Sequence, residues 1–252
     1  MDRKISDWGG NVVALALVIA VNALANILPF GGQTTGEVSD KYASMFTPAG
    51  FTFAIWSLIY LLLAVFVVYQ ALPSQRGNEQ LARIGPWFKA GAVANALWMF
   101  AWHQEWIGVT LLLMVVLLVT LVRIYRLLDI VDAAASTFSR WLVQLPFSVY
   151  LAWISVATIA NVSALQSALG WNDAYLEQVS WTLLKLALAG ALGAIVTLRR
   201  HDVAYGLVIG WAAFGIGAGQ AATLAVAGAA FTLSLVMLAV ASFEALNRVT
   251  AR

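Results

Sequence analysis

Long apolar runs of about 20 residues recur along the whole chain, and this feature restricts its fold more than any other. A helix rises ~1.5 Å per residue, so about 20 apolar residues cross the ~30 Å hydrocarbon core of a bilayer. The sequence therefore predicts an all-α integral membrane protein. Its eight predicted spanning helices lie at about residues 9–28, 48–70, 86–102, 106–126, 141–165, 179–198, 204–218 and 221–246.

The last two of these helices depend on a break inside one long apolar stretch. Residues 204–246 are too many for one span, and Gly215, Gly217, Gly219 and Gln220 interrupt them. We therefore predict that one helix ends before this break and another begins after it. A single helix here, and hence seven spans, is the alternative. For the first apolar run, the alternative to a span is a cleaved signal peptide.

Composition agrees with a bilayer setting and excludes several classes of function. Hydrophobic residues make up 62% of the chain and charged residues only 10%, whereas soluble proteins carry about 25% charged residues. The absence of cysteine excludes disulfides, thiolate catalysis and cysteine-based metal sites. No basic patch suited to nucleic acid occurs, so we expect no nucleic-acid partner.

Lysine and arginine are distributed unevenly between alternate segments of the chain. Cytoplasmic loops of membrane proteins carry an excess of these residues. One set of alternate segments holds only Lys41, which predicts a multi-pass protein of the cell (plasma or inner) membrane with both termini in the cytoplasm. The other set holds Arg3, Lys4, Arg76, Arg83, Lys89, Arg123, Arg126, Arg140, Arg199, Arg200, Arg248 and Arg252.

The chain has eleven tryptophans, and their predicted depths separate them into groups. Trp56, Trp98 and Trp153 lie deep and at one level in the outer half of the membrane, where three rings would suit a pocket for a flat aromatic ligand. The alternative is that they pack as core or face lipid. Trp211 is also deep and is interpreted as core. The rest are expected at the membrane interface, where tryptophan collects: Trp8, Trp87, Trp102, Trp106, Trp141, Trp171 and Trp181.

Amide side chains lie at a similar depth. Asn95 is three residues from Trp98 and so shares its helix face. Asn161 lies near the outer end of the fifth helix, and Asn22 and Asn26 share one face of the first. Buried amides in lipid need hydrogen-bond partners, so we expect these side chains to point into the bundle, as ligand contacts or as links between helices.

Three motifs on the second, third and fifth helices resemble those of the TspO/MBR family, which comprises the tryptophan-rich sensory proteins and the mitochondrial translocator protein. The first is Trp56-Ser57-Leu58-Ile59-Tyr60 after Pro48 and Phe53, the second is Asn95-Ala96-Leu97-Trp98, and the third is Tyr150-Leu151-Ala152-Trp153 followed by Asn161. They cover about residues 9–166. The Lys-Pro-x-Trp motif usual before the second helix is absent.

The resemblance implies a five-helix bundle that binds porphyrins or sterol-like ligands beneath the first loop. The first helix and the loop at 29–47, interpreted as turns, would close this pocket. Asn26 is a further candidate on the first helix. Asn161 of the fifth-helix motif is another candidate. By the resemblance the lining residues are Trp56, Tyr60, Asn95, Trp98 and Trp153.

The C-terminal part of the chain departs from this pattern. Residues 167–252 have no counterpart in five-helix members, so the chain resembles a long bacterial variant: a bundle at 1–166 followed by a three-helix extension. Gly206 and Gly210, like Gly215 and Gly219, have the spacing that lets helices approach closely. We expect these glycines to pack on the bundle or on a second subunit of a homodimer.

The resemblance thus implies a membrane-embedded binding protein, sensor or translocator for a flat apolar ligand such as a porphyrin or sterol-like molecule. It requires no cofactor, although the bound ligand could be a porphyrin or haem-like group. The alternative is a permease for a small solute or lipid precursor. We expect no enzyme, because the membrane interior offers no acid–base pair; degradation of porphyrin is the enzymatic alternative.

Three ionisable side chains need separate interpretation. His103 lies beside Glu105 and could ligate haem iron, but an interfacial histidine more often bonds water or a neighbour. Lys185 lies inside the sixth helix and is expected to extend its amine towards the interface. His201 is interpreted as part of a solvated cytoplasmic turn.

Overall fold

The computed structural model describes residues 3–28, 30–130, 136–171 and 175–250, so Arg252, a cation in the predicted charge pattern, lies outside the described residues. The described chain is helical and contains no strand, which confirms the predicted fold class. Its eight long helices are α1 (Ile5–Ile27), α2 (Ile55–Ala71), α3 (Glu79–His103), α4 (Ile107–Leu127), α5 (Leu145–Ala168), α6 (Gln178–Arg199), α7 (Val203–Gly219) and α8 (Leu224–Thr250).

Most of these helices are suited to crossing a membrane. Among the described residues, six helical segments are long and apolar enough by length and composition. The other two long helices are α3, which carries Glu79, Arg83 and Lys89, and α7, which is apolar but has only 17 residues. A break at residues 220–223 separates α7 from α8, which confirms the predicted division of this stretch.

Several helix boundaries differ from the prediction. The third helix begins at Glu79, seven residues before the predicted start at 86, because the Asn78 side chain accepts a hydrogen bond from the Leu81 N–H at 3.2 Å and caps its first turn. A 3-10 helix (Gly50–Ala54) precedes α2. The loop at 29–47 contains a short helix (Thr35–Lys41), so its interpretation as turns alone was wrong.

The chain forms two compact units. Unit 1 comprises Met1–Val38 and Trp56–Leu151, and unit 2 comprises Ser39–Ile55 and Ala152–Arg252. Unit 1 therefore contains α1, α3 and α4 with nearly all of α2, and unit 2 contains α6, α7 and α8, while α5 contributes to both. These units are not the bundle at 1–166 and the extension at 167–252 that the sequence predicts, because unit 2 also includes residues 39–55 and 152–166. The predicted division itself stays a prediction.

In unit 1, a buried polar network ties the start of α1 to the end of α2 and to α3. Arg3, whose side chain is only 2% exposed, donates to the Asp7 carboxylate at 2.7 Å and to the Gln70 Oε1 at 2.6 Å. Lys89 reaches both Asp7 and Asn11 at 3.4 Å. Because a buried charge needs a partner, this network opposes rotation of the three helices. The sequence showed Arg3 and Lys89 only as charges of cytoplasmic segments.

In unit 2, glycines on α7 permit close packing, as predicted from their spacing, but Gly206 and Gly210 pack on other C-terminal helices rather than on the bundle or a second subunit. Gly206 faces Thr197 of α6, and Gly210 faces the Met237 side chain of α8. Gly215 lies directly against Thr52, and its carbonyl accepts a hydrogen bond from the Ala49 N–H at 2.9 Å. The glycine faces therefore bring α7 close to the neighbouring helices and to the 3-10 helix within this unit.

This packing predicts opposite effects for two glycine substitutions. A Cβ at Gly215 would overlap the Thr52 side chain, so Gly215→Ala should destabilise the protein by about 1–3 kcal/mol. A Cβ at Gly228 on α8 meets nothing within 4 Å, so Gly228→Ala should be neutral or stabilise by up to ~1 kcal/mol. Thermal unfolding in detergent, followed by circular dichroism, measures both.

Thr52→Ala in the Gly215→Ala background should recover part of the lost stability, because it removes the overlapping hydroxyl and methyl groups. Equal stability of the two glycine variants would contradict the close packing of Gly215.

Candidate functional site

Three aromatic rings meet in unit 1 within the helical segments. Trp56 and Tyr60 are one turn apart on α2, and their rings stack with centroids 5.6 Å apart and planes 26° apart. Tyr150 of α5 presents its ring edge-on to Trp56 at 6.0 Å. The motif residues of the second and fifth helices thus form one set of aromatic surfaces, with flat faces for stacking.

A chain of amide hydrogen bonds lies beside these rings. Asn22 of α1 donates to the Asn95 Oδ1 of α3 at 3.0 Å, and Asn95 in turn donates to the Tyr150 hydroxyl at 3.0 Å. This confirms that Asn22 and Asn95 point into the bundle. We call these five residues, Asn22, Trp56, Tyr60, Asn95 and Tyr150, the aromatic–amide cluster. Tyr150 was quoted in a motif but was not predicted as a site residue.

The Tyr60 hydroxyl differs from the other polar groups of the aromatic–amide cluster. Its oxygen is buried and has no hydrogen-bond partner within the described part of the chain. The Tyr150 hydroxyl, by contrast, accepts from Asn95. Since buried polar groups are nearly always paired, the Tyr60 hydroxyl is the exception within this cluster.

Trp98 stacks on another tryptophan of its own helix. Its ring and that of Trp102 are 5.4 Å apart at their centroids and nearly parallel. Trp102 is only 6% exposed, and its Nε1–H donates to the Thr35 carbonyl at 3.1 Å. This bond links the end of α3 to the first loop, and the interfacial depth of the ring stays a prediction.

The first loop is fastened to the end of α3 by further contacts in unit 1. The His103 Nδ1 lies 2.8 Å from the Met99 carbonyl, which can only accept, so Nδ1 carries the proton. The Nε2 lies 3.4 Å from the Thr35 hydroxyl. Gln33 donates to the Glu105 carboxylate at 3.1 Å. His103 is therefore buried against the loop and bonds to neighbouring groups, which is the interpretation that the sequence favoured over haem ligation.

The remaining predicted site residues lie elsewhere. Asn26 is exposed and donates to the Asn22 carbonyl at 2.9 Å, so the expectation that it points into the bundle was wrong. Trp153 belongs to unit 2, where it is buried with its ring 6.0 Å from that of Phe53. Asn161, also in unit 2, is buried and donates to the Ala157 carbonyl at 2.9 Å. As ligand contacts, all seven predicted residues stay predictions.

Of three other residues of unit 2, Trp211 and His201 differ from their interpretation, while the extension of Lys185 towards the interface stays a prediction. Trp211 is 37% exposed rather than core, and its Nε1–H donates to the Thr52 carbonyl at 3.0 Å. Lys185 donates to the Gln166 side chain at 2.5 Å. The His201 Nδ1 lies 2.7 Å from the buried Glu244 carboxylate, so this histidine is not simply solvated.

A small apolar cavity lies in unit 1 next to Tyr150. Its volume of about 20 Å³ holds roughly one water molecule. Residues of α1 to α5 line it, including Leu15, Leu63, Phe88 and Thr120. A porphyrin-sized ligand does not fit this space. The Trp56 and Tyr60 rings stack on each other and leave no room for a third ring between them, which we call the closed arrangement of the aromatic–amide cluster.

The first loop begins its short helix with a capping box. The Glu37 carboxylate accepts from the Thr34 N–H at 2.6 Å and from the Thr34 hydroxyl at 2.9 Å. In return the Thr34 hydroxyl accepts from the Glu37 N–H at 3.3 Å. The two bonds to the carboxylate lower the pKa of Glu37, and the bond from the backbone N–H contributes more than the bond from the hydroxyl.

Comparison with known proteins finds one family. The model of a family described as TSPO-like protein matches residues 7–243. This match extends through α6, α7 and most of α8, beyond the part of the chain that the sequence motifs covered. No curated protein and no solved structure matches the chain.

The capping box predicts that the helix at Thr35–Lys41 depends on pH. Because the pKa of folded Glu37 lies below its ordinary value of 4.5, the carboxylate stabilises the helix above that pH, and this contribution is lost as the pH falls through the lowered pKa. Hydrogen exchange of the amides of residues 35–41, corrected for its intrinsic pH dependence, should show protection decreasing there.

Glu37→Gln is the control, because it keeps a weaker side-chain acceptor but no titrating group. Its protection should be lower at neutral pH and unchanged across the same pH range. The same pH dependence in both proteins would exclude Glu37 as its origin.

Proposed function

This chain belongs to the TSPO-like protein family, and we propose that it is a membrane-embedded binding protein, a sensor or translocator, for a flat apolar ligand such as a porphyrin or a sterol-like molecule. Family membership and the apolar helices make it a multi-pass membrane protein. Its placement in the cell membrane with cytoplasmic termini is part of the proposal and is supported by the alternation of Lys and Arg.

The aromatic–amide cluster is the observation that carries this proposal. Trp56, Tyr60 and Tyr150 supply flat apolar surfaces, and Asn95 supplies a polar edge next to them. Small-molecule sites typically combine apolar and aromatic walls with a few placed polar groups. A planar ligand gains dispersion and stacking energy from such rings.

The closed arrangement adds a condition to binding. Trp56 and Tyr60 already stack at 5.6 Å, and a ring placed between two others needs about 3.5–4.0 Å on each side. The ligand must therefore separate the rings or displace one of them. The free energy of this opening lowers the apparent affinity, since only the open fraction of the protein binds.

Titration with protoporphyrin IX tests the proposal. Saturable quenching of tryptophan fluorescence should occur in the full-length protein in detergent, and Trp56→Phe should weaken binding by roughly three- to tenfold because it removes stacking area. Trp141→Phe is the control, because this ring is 63% exposed and lies outside the cluster. Its affinity should match that of the wild type.

The absence of saturable quenching, or an equal effect of the two substitutions, would count against the proposed site. Trp153→Phe extends the test to the predicted residue of unit 2.

Flux of the porphyrin into proteoliposomes would favour a translocator, whereas binding without flux would favour a sensor. Flux of small solutes without porphyrin binding would favour the permease.

A further inference from the structure

The unpaired hydroxyl of Tyr60 shows what the ligand should contribute. The Tyr60 oxygen is buried without a partner among the described residues, while its ring is held by stacking on Trp56. The other hydroxyl of the aromatic–amide cluster, that of Tyr150, accepts from Asn95. A buried O–H without an acceptor destabilises the protein, and an acceptor on a bound molecule removes this cost.

The charge around the aromatic–amide cluster restricts the ligand further. Neither α2 nor α5 contains a Lys, Arg, Asp or Glu residue. On α3 the nearest such residue is Lys89, six positions from Asn95 and so about 9 Å along the helix. Lys89 is already within 3.4 Å of Asp7.

An ionised carboxylate buried at this cluster would therefore have no free counter-charge on these three helices. Burying such a charge is costly, whereas a carbonyl or ring nitrogen is neutral and still accepts a hydrogen bond.

We propose that the Tyr60 hydroxyl donates a hydrogen bond to the ligand, and that the ligand is an uncharged flat molecule with a carbonyl or ring-nitrogen acceptor at its edge. This inference rests on the proposed function, because it specifies the chemistry of the same site. Tyr60 is then the residue that selects an acceptor-bearing ligand over a hydrocarbon of the same shape.

Fluorenone and fluorene test the hydrogen bond, because they share one flat shape and differ by a carbonyl group. Their dissociation constants are measured by calorimetry on the full-length protein in detergent. Tyr60→Phe should weaken fluorenone binding by about three- to tenfold and leave fluorene binding unchanged within a factor of about two. Tyr69→Phe on the same helix is the matched control and should change neither.

A spectroscopic measurement on the wild type makes the test independent of the variant's folding. A hydrogen bond from Tyr60 lowers the carbonyl stretching frequency of bound fluorenone relative to fluorenone in an apolar solvent. An unshifted carbonyl band would overturn the inference even if Tyr60→Phe did not fold.

The charge is tested with protoporphyrin IX and its dimethyl ester, which carry the same ring with two or no carboxylates. The ester should bind more tightly to the wild type, and tighter binding of the diacid would overturn the neutral-ligand part of the inference. An equal effect of Tyr60→Phe on fluorenone and fluorene would overturn the hydrogen bond while leaving the proposed function standing. Failure of all four probes to bind the wild type would overturn both.

Discussion

The hydrocarbon core of a bilayer offers no hydrogen bonds to a spanning helix. The polar contacts between the helices of this protein follow from that constraint. Every amide or charged group placed inside a helix must find its partner within the protein. Asn22 with Asn95 is such a pair. Arg3 with Gln70 and the Trp102 indole with Thr35 are polar pairs of the same kind at helix ends, and each of the three joins two separate segments of unit 1. In lipid, where apolar faces alone distinguish neighbours poorly, these polar pairs select which helix surfaces meet.

Helices α1 and α3 show this selection most clearly. They share the ion pair of Asp7 and Lys89 near the start of α1, and the hydrogen bond between the side-chain amides of Asn22 and Asn95 further along. Two polar contacts at separate heights hold both the axial position and the rotation of one helix against the other. Few buried side-chain atoms lack a partner within the described residues, among them the hydroxyls of Tyr60, Thr52 and Thr197. The Tyr60 hydroxyl is the one that lies in the aromatic–amide cluster, and departures from satisfied pairing concentrate at functional sites.

Hydropathy predicted where the helices lie along the chain, but it could not predict how each is rotated about its axis. The eight helices follow from the apolar runs of the sequence. The runs did not reveal the polar ends of helices, such as the first turns of α3 after Glu79. Asn26 shows the limit: its depth suggested an amide that points into the bundle, yet its side chain is exposed. The motifs grouped Trp56, Tyr60 and Asn95, and the structure brings these side chains together around Tyr150, because the motifs place particular residues on particular helix faces.

Rotation also decides how the first loop and the aromatic–amide cluster are connected. Asn95 binds Tyr150, and within the next two turns of α3 Trp102 and His103 hold Thr35 of the loop. A helix transmits displacement along this short distance because its backbone hydrogen bonds resist local stretching. Asn95 and the residues that hold the loop therefore lie on one short segment of α3. Under the proposed function, a ligand that separated Tyr150 from Asn95 would act on this segment, and binding and the position of the loop would bias each other.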